Sequence, residues 1–213
     1  MMKDFYKKTI VKNRSSKIYV VSAPSGAGKT SLLKELVKNY TSLHLSISYT
    51  TRKPRSGEVH GKDYYFVSNK YFNKMIDKNY FLEYATVFNN LYGTSVVYMN
   101  ESLEKNLSII LELDWQGNRS IIKKYPNDCV SIFILPPSLN DLYTRLNNRA
   151  TDDINIINNR LSKAKEEISY IDEYDYVITN VDFSKTLEDL KTIINVQSFI
   201  NKKIRKTHSL LIE

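Results

Sequence analysis

Gly26, Gly28, Lys29 and Thr30, within "VVSAPSGAGKT" (20–30), are residues from which a phosphate grip can be built. Glycines let backbone N–H groups approach phosphate oxygens, a lysine reaches the β and γ oxygens, and a neighbouring hydroxyl ligates Mg²⁺. Ser25, Ala27 and Ser31 complete the loop and the turn after it. A helix starting at Lys29 adds the partial positive charge of its N-terminus. Where the strict motif begins with glycine, this chain has Ala23. The loop predicts a bound nucleoside triphosphate. It leaves the recipient of the terminal phosphate open between water, a protein and a small acceptor.

A carboxylate at the end of a neighbouring strand is expected to help hold the cation, directly or through water. "IILELD" offers Glu112 and Asp114. The stretch "DWQG" (114–117) also matches the Asp-x-x-Gly of GTP-hydrolysing switches. The guanine-reading Asn-Lys-x-Asp of those proteins is absent, since "NKYF", "NKMI" and "NKKI" all lack the aspartate. A GTPase is therefore disfavoured.

The acceptor is written in "SYTTRKPRSGEVHGKDYYF" (48–66). Arg52 and Arg55 lie close together beside a proline and hydroxyl residues. Two guanidinium forks can clamp one phosphate bidentately, which a point charge cannot do. Tyr64 adds a hydroxyl, "FLEYA" supplies Glu83, and "LYGTS" supplies Tyr92 and Thr94. A carboxylate among aromatics can accept two hydrogen bonds from a base edge with adjacent N–H groups. Guanine has such an edge and adenine does not. Read alone, the arginine pair also fits a solvated loop. A phosphate monoester is already ionised at neutral pH, so no general base is required. Accordingly His44 and His208 have no catalytic context, and His60 reads as structural.

These residues need a scaffold. "KIYVVS" (17–22), "LHLSIS" (43–48), "SIILELD" (108–114), "CVSIFIL" (129–135) and "YDYVIT" (174–179) read as strands. Helical spacing marks 29–40, 115–125, 138–149, 153–171 and 184–204. Strands alternating with helices predict an α/β layered fold with a mostly parallel sheet. The segment 49–98, rich in tyrosine and polar residues, breaks the alternation and reads as an insertion.

A chain of 213 residues suits one domain, possible subdomain insertions included. Cys129 is the one cysteine and excludes a disulfide framework or cysteine metal cluster. There is no apolar run of membrane-spanning length and no signal-peptide pattern, so a cytoplasmic protein without membrane partners is expected. The net charge of +8 belongs to the ends: 1–17 carries +5 and 201–213 carries +3, leaving 18–200 neutral. A neutral body lacks the basic face of a nucleic-acid reader. Monomer and homo-oligomer both stay open.

Over roughly 17–200 the chain closely resembles guanylate kinase of the bacterial type. The resemblance rests on "VSAPSGAGKT", "SYTTRKPRSGEVHGKDYYF", "FLEYA", "YGTS", "LDWQG", "SIFILPPS", "RLNNR" and "EYDYVITN". It implies a three-layer phosphate-loop NTPase fold with an inserted GMP-binding region and a helical lid. The implied divisions are a core (17–47, 99–136, 165–205), a GMP-binding region (48–98), a lid (137–164) and basic tails (1–16, 206–213). The implied reaction is ATP + GMP → ADP + GDP with Mg²⁺, with ATP and GMP, and dGMP as an alternative acceptor, as the small-molecule substrates. Matched motif by motif, Arg52, Arg55, Tyr64 and Tyr92 hold the GMP phosphate. Glu83 and Asp114 read the guanine N–H edge, and Ser48 and Thr94 serve its O6 side. Arg145, Arg149 and Arg160 are the lid's phosphate-binding arginines, and Asn180 lies near the adenine. Lys29, Arg52 and the lid arginines are the implied catalytic set; Thr30, Glu112 and Asp114 are the implied metal set. The chain departs from the family at Glu112, in place of the first aspartate of Asp-x-Asp. It also departs at Ala150, in place of a lid glycine, and at Val181, in place of an acid. Ala23 is what the bacterial members carry.

Two rivals frame that reading. One is a domain of the same family that has lost catalysis and binds proteins; retention of Lys29 and the lid arginines disfavours it. The other is a phosphate-loop kinase for a different acceptor; Glu83, Ser48 and Thr94 favour guanine.

Overall fold

A computed structural model describes residues 16–87, 89–147 and 154–210, with 154–156 and 198–210 described by backbone alone. In chain order the elements are β1 (Ile18–Ser22), α1 (Lys29–Val37), β2 (Leu43–Leu45), β3 (Tyr49–Thr50), β4 (Tyr65–Phe66), α2 (Asn69–Asp77), β5 (Phe81–Val87), β6 (Asn90–Ser95), α3 (Val96–Glu104), β7 (Ser108–Glu112), α4 (Trp115–Lys124), β8 (Cys129–Leu135), α5 (Leu139–Asn147), α6 (Ile154–Ile168), β9 (Tyr176–Thr179) and α7 (Phe183–Leu210).

All five residues of β1 are buried. Strands covered on both faces read as continuous apolar runs, which is why "IYVVS" shows no alternation. β1 pairs in parallel with β7 on one side and β8 on the other. β2 and β9 extend the sheet outward, giving the order β2-β7-β1-β8-β9. Successive side chains then point to opposite layers. Tyr19 and Val21 pack with Leu32, Leu33 and Leu36 of α1 and with Leu190 and Ile194 of α7. Ile18 and Val20 pack with Met99 and Leu103 of α3 and Ile121 of α4. The expected three-layer α/β fold is the observed one.

The insertion is a second sheet, ordered β4-β3-β6-β5, in which β5 and β6 form an antiparallel hairpin. Against it lies α2, whose fully buried Phe72 stacks on Phe81 at 4.4 Å. α2 lies inside the stretch read as an insertion, and α3 begins within it. In α2, Phe72, Met75 and Ile76 have helical spacing and form one apolar face, a signal hidden by the short, tyrosine-rich strand pieces around it. α3 follows β6 directly: Ser95 ends the strand, and its side chain caps the helix by accepting from the Tyr98 N–H. The strand expected over 43–48 stops at Leu45, because the chain crosses to the second sheet, where Tyr49 opens β3. The last helix, expected to end at 204, continues to Leu210.

Parallel sheets present ligands at the carboxyl ends of their strands. The phosphate loop leaves β1 at that end, between the ends of β7 and β8.

Candidate active site

The phosphate loop is shaped by backbone that only glycine adopts easily. Gly26 has φ 101° and Gly28 has φ 96°, and Gly28 opens α1 as its N-cap. At Gly28 a Cβ would come within 2.7 Å of the Asn180 side-chain amide. That amide is buried behind the loop and donates to the Ala27 carbonyl at 2.7 Å. Arg145, from α5, reaches the same carbonyl at 3.4 Å. The Ala27 N–H is turned inward onto the Pro24 carbonyl at 3.0 Å. Ala27 therefore shapes the loop, while Ser25, Gly26, Gly28, Lys29, Thr30 and Ser31 face the cleft.

At the end of β7 the Thr30 hydroxyl donates to Glu112 Oε2 at 3.0 Å, and Lys29 Nζ lies 3.9 Å from the same oxygen. A hydroxyl beside a carboxylate is a hard oxygen pair of the kind Mg²⁺ takes up together with waters and phosphate oxygens. The residues present thus fit the cation. No group of three or more His, Cys, Asp or Glu forms a metal cage among the described residues. Asp114 has a further duty that its motif hides. Its side chain accepts from the Gly117 N–H at 3.0 Å and caps α4.

Across the cleft lie side chains from the second sheet and from the loops between its strands. Arg52 places its guanidinium 5.4 Å from the Tyr64 ring centre, and Tyr64 and Tyr92 meet edge to face at 6.0 Å. Burial, with Glu112 and Tyr92 nearby, raises the Tyr64 hydroxyl above its ordinary value, so it stays a donor. Glu83 on β5 sits directly opposite Thr94 on β6. Burial pushes its carboxyl up to about 7; the Thr94 hydroxyl and N–H oppose the rise and Asp114 adds to it. Gly117 makes room for it, since a Cβ there would stand 3.3 Å from Glu83 Oε2. Arg52, Arg55, Tyr64, Glu83, Tyr92 and Ser48 line the same cleft as the phosphate loop, Glu112 and Asp114. The glycine-rich loop and these side chains therefore face one space.

The family model for guanylate kinase matches residues 15–197. The chain belongs to the guanylate kinase family. The guanylate kinase of Haemophilus influenzae (strain 86-028NP) is 48% identical over 199 residues, covering 92% of this chain and 95% of that protein. That of Rickettsia typhi (strain ATCC VR-144 / Wilmington) is 51% identical over 177 residues, covering 83% and 89%. A crystal structure of guanylate kinase from Anaplasma phagocytophilum superposes with a TM-score of 0.72 at 34% identity, covering 88% of each chain. Guanylate kinase activity is the ATP-dependent phosphorylation of GMP to GDP, and membership makes this chain a nucleotide-binding transferase of that class.

The remaining residues expected at the site fall in three groups. Arg160 of α6 reaches the cleft. Thr94 and Asn180 are buried; Thr94 lies opposite Glu83 across the strand pair, and Asn180 bonds the loop carbonyl. Arg149 and Ala150 lie outside the described residues. His60 is structural as expected, accepting from the Phe66 N–H at 3.2 Å. Two residues escaped the sequence reading. Glu167 lines the cleft two turns along α6 from Arg160. Burial pushes its carboxyl to about 7, with Lys29 opposing and Asp114 adding to the rise. Its i, i+7 spacing from Arg160 was the available signal. Glu58 takes hold of Arg52, and a carboxylate just past the Ser56–Gly57 turn, three residues after Arg55, was its mark in the sequence. No helix among the described residues is long and apolar enough to cross a membrane.

Proposed function

We propose that the cleft transfers the γ-phosphoryl group of ATP directly to the phosphate of GMP, in line and with Mg²⁺. An oxygen of the GMP phosphate forms the new bond to Pγ as the bond from Pγ to the β–γ bridging oxygen breaks, giving GDP and ADP. The observation that carries this reading is the shared cleft: Lys29 and Thr30 on one wall, Arg52, Tyr64 and Glu83 on the other.

The N–H groups of the loop, with Lys29, bind the triphosphate and orient it along the cleft. Arg52, Arg55, Tyr64 and Tyr92 hold the acceptor phosphate, and the arginines offset repulsion between the two anions. Glu83, assisted by Asp114, accepts from the guanine N–H edge, while Ser48 and Thr94 serve O6. Thr30, with Glu112 or Asp114 through water, would hold Mg²⁺. When bound, the cation neutralises charge on the transferring phosphoryl group. Arg145, Arg149 and Arg160 add positive charge from the lid. Residues 48–98 act as the GMP-binding region and 137–164 as the lid, closing over the core to exclude water. Asn180 braces the loop beneath the nucleotide.

The test is ADP release from ATP across GMP, dGMP, AMP, UMP and CMP. Release with the guanine nucleotides alone is expected, and it requires added Mg²⁺. Equal release across all five would overturn the acceptor assignment.

A further inference from the structure

Arg52 is not left to find the acceptor phosphate by itself. Its Nη1 donates to Glu58 Oε2 at 2.9 Å and to the Lys53 carbonyl at 2.8 Å, and its Nη2 donates to Glu58 Oε1 at 2.8 Å. The Glu58 carboxylate also accepts from the Arg55 N–H at 2.7 Å. One carboxylate therefore ties together the two residues of the clamp. Both partners of the pair are largely withdrawn from water, with side chains 14% and 19% exposed.

A guanidinium has five N–H donors in a fixed fork. Glu58 takes one on each Nη, and Lys53 takes the second on Nη1. The Nε–H and the second Nη2–H are taken by neither of these two residues. These two are parallel and form the side edge of the fork, the other geometry suited to bidentate binding of phosphate. The Tyr64 and Phe66 rings lie 5.4 and 5.8 Å from the guanidinium and limit its rotation. The Tyr92 hydroxyl, placed above among the ligands of the acceptor phosphate, hydrogen-bonds the same guanidinium.

We infer that Glu58 is a positioning residue for GMP phosphate binding: it holds the end edge of Arg52 so that the side edge faces the acceptor. The inference rests on the reading of Arg52 as a phosphate clamp. A carboxylate in a phosphate site would otherwise be a competitor that the substrate displaces, and the two roles differ in sign. A competitor, once neutralised, leaves a tighter GMP site. A positioning residue, once neutralised, leaves a looser one, because three ordered donors lose their partner. Burial alone would raise the Glu58 carboxyl, but bonds from Arg52 and the Arg55 amide hold it below its ordinary value. It is therefore an ionised anchor throughout the neutral range.

The experiment uses the full chain with Glu58→Gln and Glu58→Ala. It reads KM for GMP, kcat, and the inhibition constant of guanosine, which carries the base without the phosphate. KM for GMP is expected to rise roughly tenfold, the scale of a lost oriented charge-assisted bond. Guanosine inhibition is expected to stay within about twofold of its starting value, set here as the threshold for an intact base site. A GMP site that tightens or does not change overturns the inference, as does a parallel loss of guanosine binding. Arg52→Ala separates this result from failure of the underlying reading. If Arg52→Ala leaves KM for GMP unaltered, the clamp assignment itself is wrong. If it weakens GMP binding while Glu58→Gln does nothing, only the role of Glu58 falls. Glu58→Gln added to Arg52→Ala is expected to cost at most about twofold more, since coupled residues are not additive. A full further tenfold would mean that Glu58 does not act through Arg52.

Discussion

The two walls of the cleft are built by different means. The donor wall is one stretch of backbone, Ser25 to Ser31, shaped by two glycines and fixed from behind by Asn180 and Arg145 on the Ala27 carbonyl. The acceptor wall is a set of side chains. Arg52 follows β3, Tyr64 precedes β4, Glu83 lies on β5 and Tyr92 on β6. In the proposed reading the donor wall holds only phosphates, for which a backbone cradle serves, whereas the acceptor wall must hold a phosphate and also read a base. Reading a base needs side chains of chosen chemistry in a dry setting. The first wall is contiguous in the chain, and the second is assembled from separate elements.

The contrast can be broken most severely on the donor side. Lys29→Ala should lower kcat by about 10³-fold with little change in KM for GMP, since it removes charge stabilisation of the transferring group. Steady-state kinetics with each substrate varied checks this, and a pure KM effect would contradict it. On the acceptor side, Glu83→Ala should erode the preference for GMP over AMP by roughly 10²-fold, because the wrong base no longer strands a buried carboxylate. Unchanged discrimination would remove Glu83 from base reading.

A smaller effect concerns protonation. The Glu83 carboxyl, at about 7, must be ionised to accept from guanine. KM for GMP should therefore rise about tenfold per pH unit below 7. The phosphate of GMP titrates nearby, so the comparison is with Glu83→Gln, whose profile should lose the step near 7 and keep that of the phosphate. The same shifts bear on folding. Glu83 and Glu167 move from an ordinary 4.5 to about 7, so across that window the folded chain holds protons the unfolded chain has lost. Stability of the ligand-free protein should fall as pH rises from about 4.5 to 7. Thermal melts across that range test it, and a rising Tm would contradict it.

The mildest perturbation is Asn180→Ala. Among the described residues it leaves the Ala27 carbonyl with the longer Arg145 contact alone. A loss of about 1–3 kcal/mol is expected, which in a chain of this size lowers Tm by several degrees. A weaker ATP interaction with intact GMP preference should accompany it, confining the damage to the donor wall.

The unequal ease of reading the two walls from sequence follows from how they are made. Gly26, Gly28, Lys29 and Thr30 are adjacent in the chain, and their roles follow from local backbone shape. The central strands and flanking helices are equally plain, because each must bury a face and shows it in its composition. The second sheet is harder. Two of its strands, β3 and β4, are only two residues long, and α2, though amphipathic, is a nine-residue helix set among tyrosine-rich strand pieces. Glu58 is harder again, since its meaning depends on a turn at Gly57, with φ 82°, that returns it to Arg52.

The order of residues alone thus settled the phosphate loop, the layered α/β scaffold and the family, because each is a matter of local chemistry or repeated burial. Tertiary structure decided what the charged groups are to one another. It decided that Glu58 grips Arg52, that Asp114 caps α4, and that Asn180 stands behind the loop. It also decided that Glu83 and Glu167 are dry enough to hold a proton near neutrality. Electrostatic character depends on distance and solvent, and neither is a property of a residue until the chain has closed around it.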